Sequence, residues 1–206
     1  MNSSKVLEVI LAISAKIDEE KQFLTQLDNV IGDGDHGINM ARGFKAFETK
    51  IPAVEGKDIG TILKTVGMTL VSTVGGSAGP LYGTAFMKAG MANAGKEEID
   101  LAGFVETLGV AIEGVKMRGK ATKGEKTMLD AMIPAYDAMK AAVESGMDAK
   151  TTLDIGVGAA LEGVEYTKTI IATKGRASYV GERSIGHQDP GATSFTNMLE
   201  VIAASV

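Results

Sequence analysis

The chain has 206 residues, enough to bury a sizeable core in one domain, and carries a net charge of −5 with a pI near 5.2. Without a long basic run, that balance argues against nucleic acid as a partner. The absence of cysteine excludes disulfides and thiol chemistry and suits a reducing cytoplasm. No apolar stretch approaches the roughly 20 residues of a membrane span, and the N-terminus lacks a signal-peptide pattern.

Residues 4 to 27 read as a first helix, with Val6, Ile10, Ile13, Ile17, Leu24 and Leu27 on one face and Ser3 or Ser4 as cap. An aspartate-rich stretch follows. A second helix is expected from about Ile38 to Thr49, closed by Ile51-Pro52, and a third from about Asp58 to Val74. Gly75-Gly76-Ser77-Ala78-Gly79 breaks the chain, and Pro80 suits the first turn of a fourth helix that ends near Gly95. Asp100 caps a fifth, whose Leu101, Phe104, Val105, Leu108, Ile112 and Val115 give a clean 3.6-residue period. A sixth helix runs from Thr127 to Ser145, where Pro134 should kink it, and a seventh from about Thr151 to Thr173. The long connection from Lys174 to Gln188, without regular structure of its own, leads to an eighth, with Asp189 as N-cap and Pro190 at its first position. No segment alternates convincingly as a strand. The reading is all-α, with eight helices.

Short turns around Pro52, Gly95 and Gly146 make helix neighbours antiparallel. If the whole chain winds up and down, the loops after helices 1, 3, 5 and 7 share one end. Taken as residues 28–37, 75–80, 118–127 and 174–191, these loops hold 12 of the 26 glycines in 44 residues, and with them the chemically distinctive side chains. The parity predicts one composite site.

The first of the four loops places Asp28, Asp33 and Asp35 within eight residues and alternates them with Gly32, Gly34 and Gly37. Carboxylates this close repel one another, and a hard cation such as Mg²⁺ relieves the repulsion while the glycines let the chain curl around it. A solvated turn with a helix cap is the plainer alternative. Gly32-x-Gly34-x-x-Gly37 spells a dinucleotide fingerprint, but helical periodicity precedes it where a strand is required. An EF-hand starting at Asp33 fails because its twelfth position is Phe44.

The second loop offers backbone N–H groups and the Ser77 hydroxyl at a helix N-terminus, a combination that attracts phosphate; a simple helix–helix turn explains it equally well. In the third, Gly119-x-x-x-x-Gly124-Glu125-Lys126-Thr127 approaches a Walker A motif, but Glu125 interrupts it and no strand precedes it; Lys120, Lys123 and Lys126 are read as solvated. In the fourth, Arg176 and Arg183 flank Tyr179, and one arginine could neutralise charge on a transferring phosphoryl group. A connection of this length suits a lid. His36 and His187, the two histidines, both fall in these loops and are read as polarising a phosphate oxygen or, more simply, holding a loop by hydrogen bonds. Carboxylates for magnesium, a phosphate-binding turn and an arginine together describe phosphoryl transfer.

Four motifs carry a resemblance. They are Leu27-Asp28-x4-Asp33-Gly34-Asp35-His36-Gly37, Gly75-Gly76-Ser77-Ala78-Gly79-Pro80-Leu81-Tyr82-Gly83, Gly175-Arg176-Ala177-Ser178-Tyr179, and Gly181-Glu182-Arg183-Ser184-x-Gly186-His187-x-Asp189-Pro190-Gly191-Ala192. In this order, across nearly the whole chain, they resemble the nucleotide-binding L subunit of dihydroxyacetone kinase. The resemblance implies one domain over residues 1–206, an antiparallel eight-helix up-and-down barrel with ADP or ATP and two Mg²⁺ ions at one end. By position it makes Asp28, Asp33 and Asp35 metal ligands. It puts His36, Gly37, Ile38, Asn39, Ser77 and Ala78 on the nucleotide phosphates and Gly119 and Met128 near adenine. Arg176 would meet phosphate as the catalytic residue, and Asp189, Pro190 and Gly191 would close on the nucleotide. The implied partners are a separate dihydroxyacetone-binding kinase subunit and a phosphohistidine-carrying protein of the sugar phosphotransferase system, which rephosphorylates bound ADP in place. An ATP-dependent dihydroxyacetone or fatty-acid kinase is the alternative enzyme, and a non-catalytic helical carrier or regulator the alternative of another class.

Overall fold

The computed structural model describes all 206 residues, and its one extended feature is an isolated bridge between Asn2 and Glu98. Eight long helices make the fold: α1 (Ser3–Ile31), α2 (His36–Glu48), α4 (Ile59–Thr73), α5 (Ala78–Ala92), α6 (Leu101–Gly119), α7 (Leu129–Glu144), α8 (Ala149–Thr169) and α9 (Pro190–Ala204). A one-turn helix, α3 (Ile51–Val54), lies between α2 and α4, and a 3-10 segment (Arg176–Ser184) lies between α8 and α9. One device starts most of the long helices. Asp58, Asp100, Asp148 and Asp189 each accept a hydrogen bond from the backbone N–H three residues on, as Asn2 does for α1, and so satisfy an end-group donor that the helix itself cannot.

Each long helix packs against its neighbours in chain order, and α9 returns to pack on α1 as well as α8, so the eight form a closed ring of neighbours. Its interior holds a continuous apolar core that includes Ile17 and Leu24 of α1, Phe44 of α2, Leu70 of α4, Ile112 of α6, Met132 of α7 and Leu199 of α9. Between α1, α4–α7, α8 and α9 the core opens into an apolar cavity of about 270 Å³, lined among others by Ile13, Leu63, Phe104, Leu153 and Phe195. No helix is long and apolar enough to cross a membrane.

Several expected boundaries move. α1 runs four residues past Leu27, and α2 begins at His36, so the aspartate loop shrinks to Gly32–Asp35 with Asp28 inside the last turn of α1. The cap of α1 is Asn2, one residue before the expected serines, because its side-chain oxygen reaches the Lys5 N–H at 2.9 Å. Ile51-Pro52 opens a helical turn instead of merely ending one, since a proline in the first turn loses no hydrogen bond. α8 stops at Thr169, short of the expected Thr173, and the connection after it carries 3-10 turns broken at Gly181. α7 continues through Pro134, which leaves the Asp130 carbonyl without its usual helical donor; Gly163 of α8 packs on that oxygen, where a Cβ would overlap it.

Four glycines let α4 and α5 cross in backbone contact. Gly67 of α4 faces the Gly83 carbonyl of α5, and Gly90 of α5 faces the Gly60 carbonyl and the Lys64 N–H of α4. A Cβ at Gly67 would stand 2.7 Å from the Gly83 oxygen and from the Met87 nitrogen, both backbone atoms that cannot step aside. Gly67→Ala should therefore lower stability by about 1–3 kcal/mol, although alanine favours a helix by roughly 1 kcal/mol. Gly158, in α8 with open space around it, should respond oppositely, with Gly158→Ala gaining about 0.5–1 kcal/mol. Urea denaturation followed by circular dichroism measures both.

Candidate functional site

The loops after α1, α4, α6 and α8 reach a single cavity of about 340 Å³, as up-and-down winding requires. Its first wall is the joint between α1 and α2. Asp28 is buried, and its Oδ2 accepts the N–H groups of Asp35 at 2.9 Å and His36 at 3.1 Å, so an acid from the end of α1 caps the start of α2. Asp35 occupies the usual cap position but makes no side-chain cap bond, which leaves its carboxylate uncommitted. Gly34 turns the chain in the left-handed region at φ +74°, where a side chain would be strained and would meet Asn29. Asp33 pairs with Arg176 at 2.9 Å.

The three acids can each bring one oxygen to within 4.8 Å of the others. Octahedral Mg²⁺ holds its oxygens at about 2.0–2.1 Å, so neighbouring ligands stand roughly 3–4 Å apart. Modest closure would bring Asp28, Asp33 and Asp35 onto such an ion, and their donor set suits a hard cation. Hydrogen bonds occupy Asp28 Oδ2, so Asp28 Oδ1 is the oxygen left for it.

The second wall is Gly75-Gly76-Ser77 and the N-terminus of α5. Ser77 stands at the cap position without a side-chain cap bond, and Ser77 and Ala78 both line the cavity, where the first N–H groups of the helix have no intrahelical partner. His36, the first residue of α2, is held between the two walls. Burial pushes its pKa down to about 4, against the opposing pull of Asp28, Asp35 and Asp33, so its imidazole is neutral at pH 7. Nε2 stands 2.9 Å from Ser194 Oγ.

The third wall overturns one sequence expectation. Lys126 is almost fully buried, at 1% exposure, and its ammonium donates to the carbonyl oxygens of Thr167, Ile170 and His187. It clasps the end of α8 to the segment leading into α9, and desolvation lowers its pKa even though Asp189 and Asp130 pull the other way. The loop is shaped from beneath by fully buried Asp130, whose carboxylate accepts the N–H groups of Gly124 and Thr127. Lys120 and Lys126 both adopt positive φ in this loop.

Arg176, Asp189, Pro190 and Gly191 make the fourth wall, together with Lys174. The Asp189 N–H donates to Thr167 Oγ1 at 2.9 Å, and its carboxylate accepts from Ala192 N–H at 2.7 Å. Burial raises the Asp189 pKa to about 7; the hydrogen bond from Ala192 and the nearby Lys126 oppose that shift.

Most of the expected site residues therefore line one cavity: Asp28, Asp33, Asp35, His36, Ser77, Ala78, Gly119, Met128, Arg176, Asp189, Pro190 and Gly191. Gly37, Ile38 and Asn39 lie beside it. Gly37 packs against the Lys21 carbonyl, Ile38 is half exposed, and the Asn39 amide oxygen accepts from Arg42 at 2.7 Å. His187, Arg183 and Tyr179 lie outside the lining, and Tyr179 is 85% exposed. Sequence reasoning missed Asp130, Ser194 and the inward turn of Lys126. An acid three residues after Thr127 was the available signal for Asp130, as such a spacing lets a carboxylate fold back on a loop; nothing local marked Ser194.

The fold is that of part of a dihydroxyacetone kinase. A crystal structure of the dihydroxyacetone kinase of C. freundii matches all of this chain with a TM-score of 0.77 at 25% identity, the chain spanning 35% of that longer protein. A second structure of that kinase, in complex with AMP-PNP and Mg²⁺, matches in fold with a TM-score of 0.76 at 23% identity. Residues 30–204 match the DAK2 domain, and the chain belongs to that family. Among its relatives, the ADP-binding subunit DhaL of the PEP-dependent dihydroxyacetone kinase of Escherichia coli is 45% identical over 89% of this chain and 88% of that protein. The corresponding subunit of kinase 1 of Listeria innocua is 49% identical over 87% and 84%. That of the PTS-dependent kinase of Lactococcus lactis is 40% identical over 96% of each.

The Asp189 carboxyl sets a pH test. Its folded pKa, about 7, lies above the roughly 3.9 of an unfolded aspartate, so the folded protein takes up a proton there. Its contribution to stability is thus most favourable below pH 4 and is lost as pH rises to about 7. Asp189→Asn keeps a capping oxygen without the charge. Protein free of ligand should melt higher as Asp189→Asn than as wild type at pH 8, with the difference shrinking as pH falls to 4; thermal melts across that range measure it.

Proposed function

We propose that the chain is the ADP-binding, phosphoryl-transferring subunit of a dihydroxyacetone kinase. The convergence of Asp28, Asp33 and Asp35, the N-terminus of α5 and Arg176 on one cavity is the observation that carries this reading. The names of relatives that match over most of their own length support it. Residues 1–206 work as one nucleotide-binding domain in the cytoplasm. When bound, ADP with two Mg²⁺ ions supplies a phosphoryl carrier whose charge is neutralised. A phosphohistidine protein of the phosphotransferase system loads that carrier, and dihydroxyacetone on a separate kinase subunit receives the group.

What the chain's own residues do follows from their placement. Asp28, with one oxygen committed to the N-terminus of α2, offers the other at a fixed position, while Asp33 and Asp35 close from the loop. Ser77 and the N-terminus of α5 present donors to phosphate oxygens. Arg176 pairs with Asp33; were that carboxylate to hold a cation, the guanidinium would be free to meet phosphate and offset charge on the group in transfer. Met128, Gly119 and Leu81 form the less polar side that suits adenine. The Lys126 clasp holds the Asp189–Gly191 edge in place, which slows release.

Two measurements test this. Asp33→Asn and Asp35→Asn should each weaken Mg-nucleotide binding at least tenfold, or about 1.4 kcal/mol, with the helical circular dichroism unchanged. Wild-type-like binding by either variant would remove that acid from the metal site. In a chase, protein loaded with labelled ADP is mixed with the substrate subunit, dihydroxyacetone and a phosphohistidine donor system. Many turnovers with the label retained are expected. Exchange of label with unlabelled ATP once per turnover, with ATP alone sustaining the rate, would make this an ordinary ATP-dependent kinase subunit. Purified protein with no nucleotide absorbance at 260 nm and no affinity for ADP would favour a carrier.

A further inference from the structure

A buried run of hydroxyls leads from the floor of the cavity to His36. Tyr82 Oη stands 2.7 Å from Ser194 Oγ and 3.0 Å from the Gly191 carbonyl oxygen. Ser194 Oγ stands 2.9 Å from His36 Nε2 and 3.1 Å from the same carbonyl. The side chains come from α5, α9 and α2, and Tyr82, Ser194 and His36 are 2%, 0% and 9% exposed. Nδ1 of His36 has no protein partner, and the residue lines the cavity.

For a neutral imidazole, two directions of the His36–Ser194 hydrogen bond fit these positions. In the first, His36 Nε2–H donates to Ser194, both hydroxyls donate to the Gly191 carbonyl, and Nδ1 turns a lone pair to the cavity. In the second, Ser194 donates to Nε2 and the hydrogen sits on Nδ1, with Tyr82 donating either to Ser194 or to the Gly191 carbonyl. A nucleotide phosphate oxygen accepts hydrogen bonds and does not donate them, so it is compatible with the second direction only. We propose that Tyr82 and Ser194 are positioning residues that hold His36 with its hydrogen on Nδ1, aiming a donor at the phosphate of the bound nucleotide. The inference rests on the nucleotide reading above. A merely structural hydroxyl pair would be satisfied in either direction. Here the anion at the far end dictates that Ser194 donates to Nε2, and the switch frees the Gly191 carbonyl in the fourth wall from the Ser194 hydroxyl.

The test uses the whole chain. Wild type, Tyr82→Phe, Ser194→Ala, His36→Ala and the two double variants with His36→Ala are titrated with Mg-ADP and with adenosine by calorimetry. Nitrogen-15 NMR of the ADP-saturated wild type reports which ring nitrogen carries the hydrogen. The expected results are Nδ1–H in the wild-type complex and a roughly tenfold loss of Mg-ADP affinity in Ser194→Ala, with a smaller loss in Tyr82→Phe. Adenosine binding should stay unchanged, and neither change should weaken binding further once His36 is alanine. Hydrogen on Nε2 in the complex, or losses that add to that of His36→Ala, would overturn the inference and leave nucleotide binding standing. Wild type with no affinity for Mg-ADP would remove both readings. The wild-type spectrum decides the point even where a variant fails to fold.

Discussion

Mutual repulsion among Asp28, Asp33 and Asp35 is the constraint that organises the site end of the molecule, because three carboxylates meet there at the joint of two helices. The protein offsets that charge in different ways. Asp28 is neutralised in part by the N-terminus of α2, whose N–H groups it accepts, and Asp33 by the guanidinium of Arg176, which draws the 3-10 segment against α1. Asp35 has neither aid. The compensation is partial, which leaves an acidic pocket ready for a cation and an arginine that a cation would release.

Across the cavity the same problem is met with buried charge. Lys126, Asp130 and Asp189 lie close together, out of water, with hydrogen bonds to backbone on every side. Removing charges from water is costly, and full satisfaction by carbonyl and N–H groups is the condition under which such a cluster persists. The result is a rigid wall: the loop after α6 is moulded on Asp130, and the segment into α9 is pinned by Lys126. The loop after α6 and the segment into α9 are therefore fixed by internal bonds, and Ser184 anchors the far end of the 3-10 segment, while its Arg176 end is held to the carboxylates by an exposed ion pair. Motion on binding should concentrate in that segment.

Close helix packing makes the convergence possible. Gly60, Gly67, Gly83 and Gly90 bring α4 and α5 into backbone contact, and Gly163 seats α8 on the carbonyl that Pro134 leaves free. These five are among the 14 glycines that lie outside the four loops. They hold the helix ends near enough for four loops to close on 340 Å³.

The amino-acid sequence by itself determined the all-helical class, most helix positions, the caps at Asp100 and Asp189, and the grouping of four loops at one end. Each of these rests on local physics: the 3.6-residue period, the reach of a cap over three residues, and short turns that force neighbours antiparallel. The carboxylate trio and Arg176 were legible because their chemistry is dense in the chain. Only the tertiary structure decided that Asp28 caps the helix after its own, that Lys126 turns inward, and that Tyr82, Ser194 and His36 join. The partners of Lys126 stand 41 to 61 residues away, and those joining Ser194 to Tyr82 and His36 stand 112 and 158 away. A lysine in a polar loop has the same local sequence whether water or three carbonyls surround it. The choice belongs to the packed ring, which brings those carbonyls to one point and excludes the water.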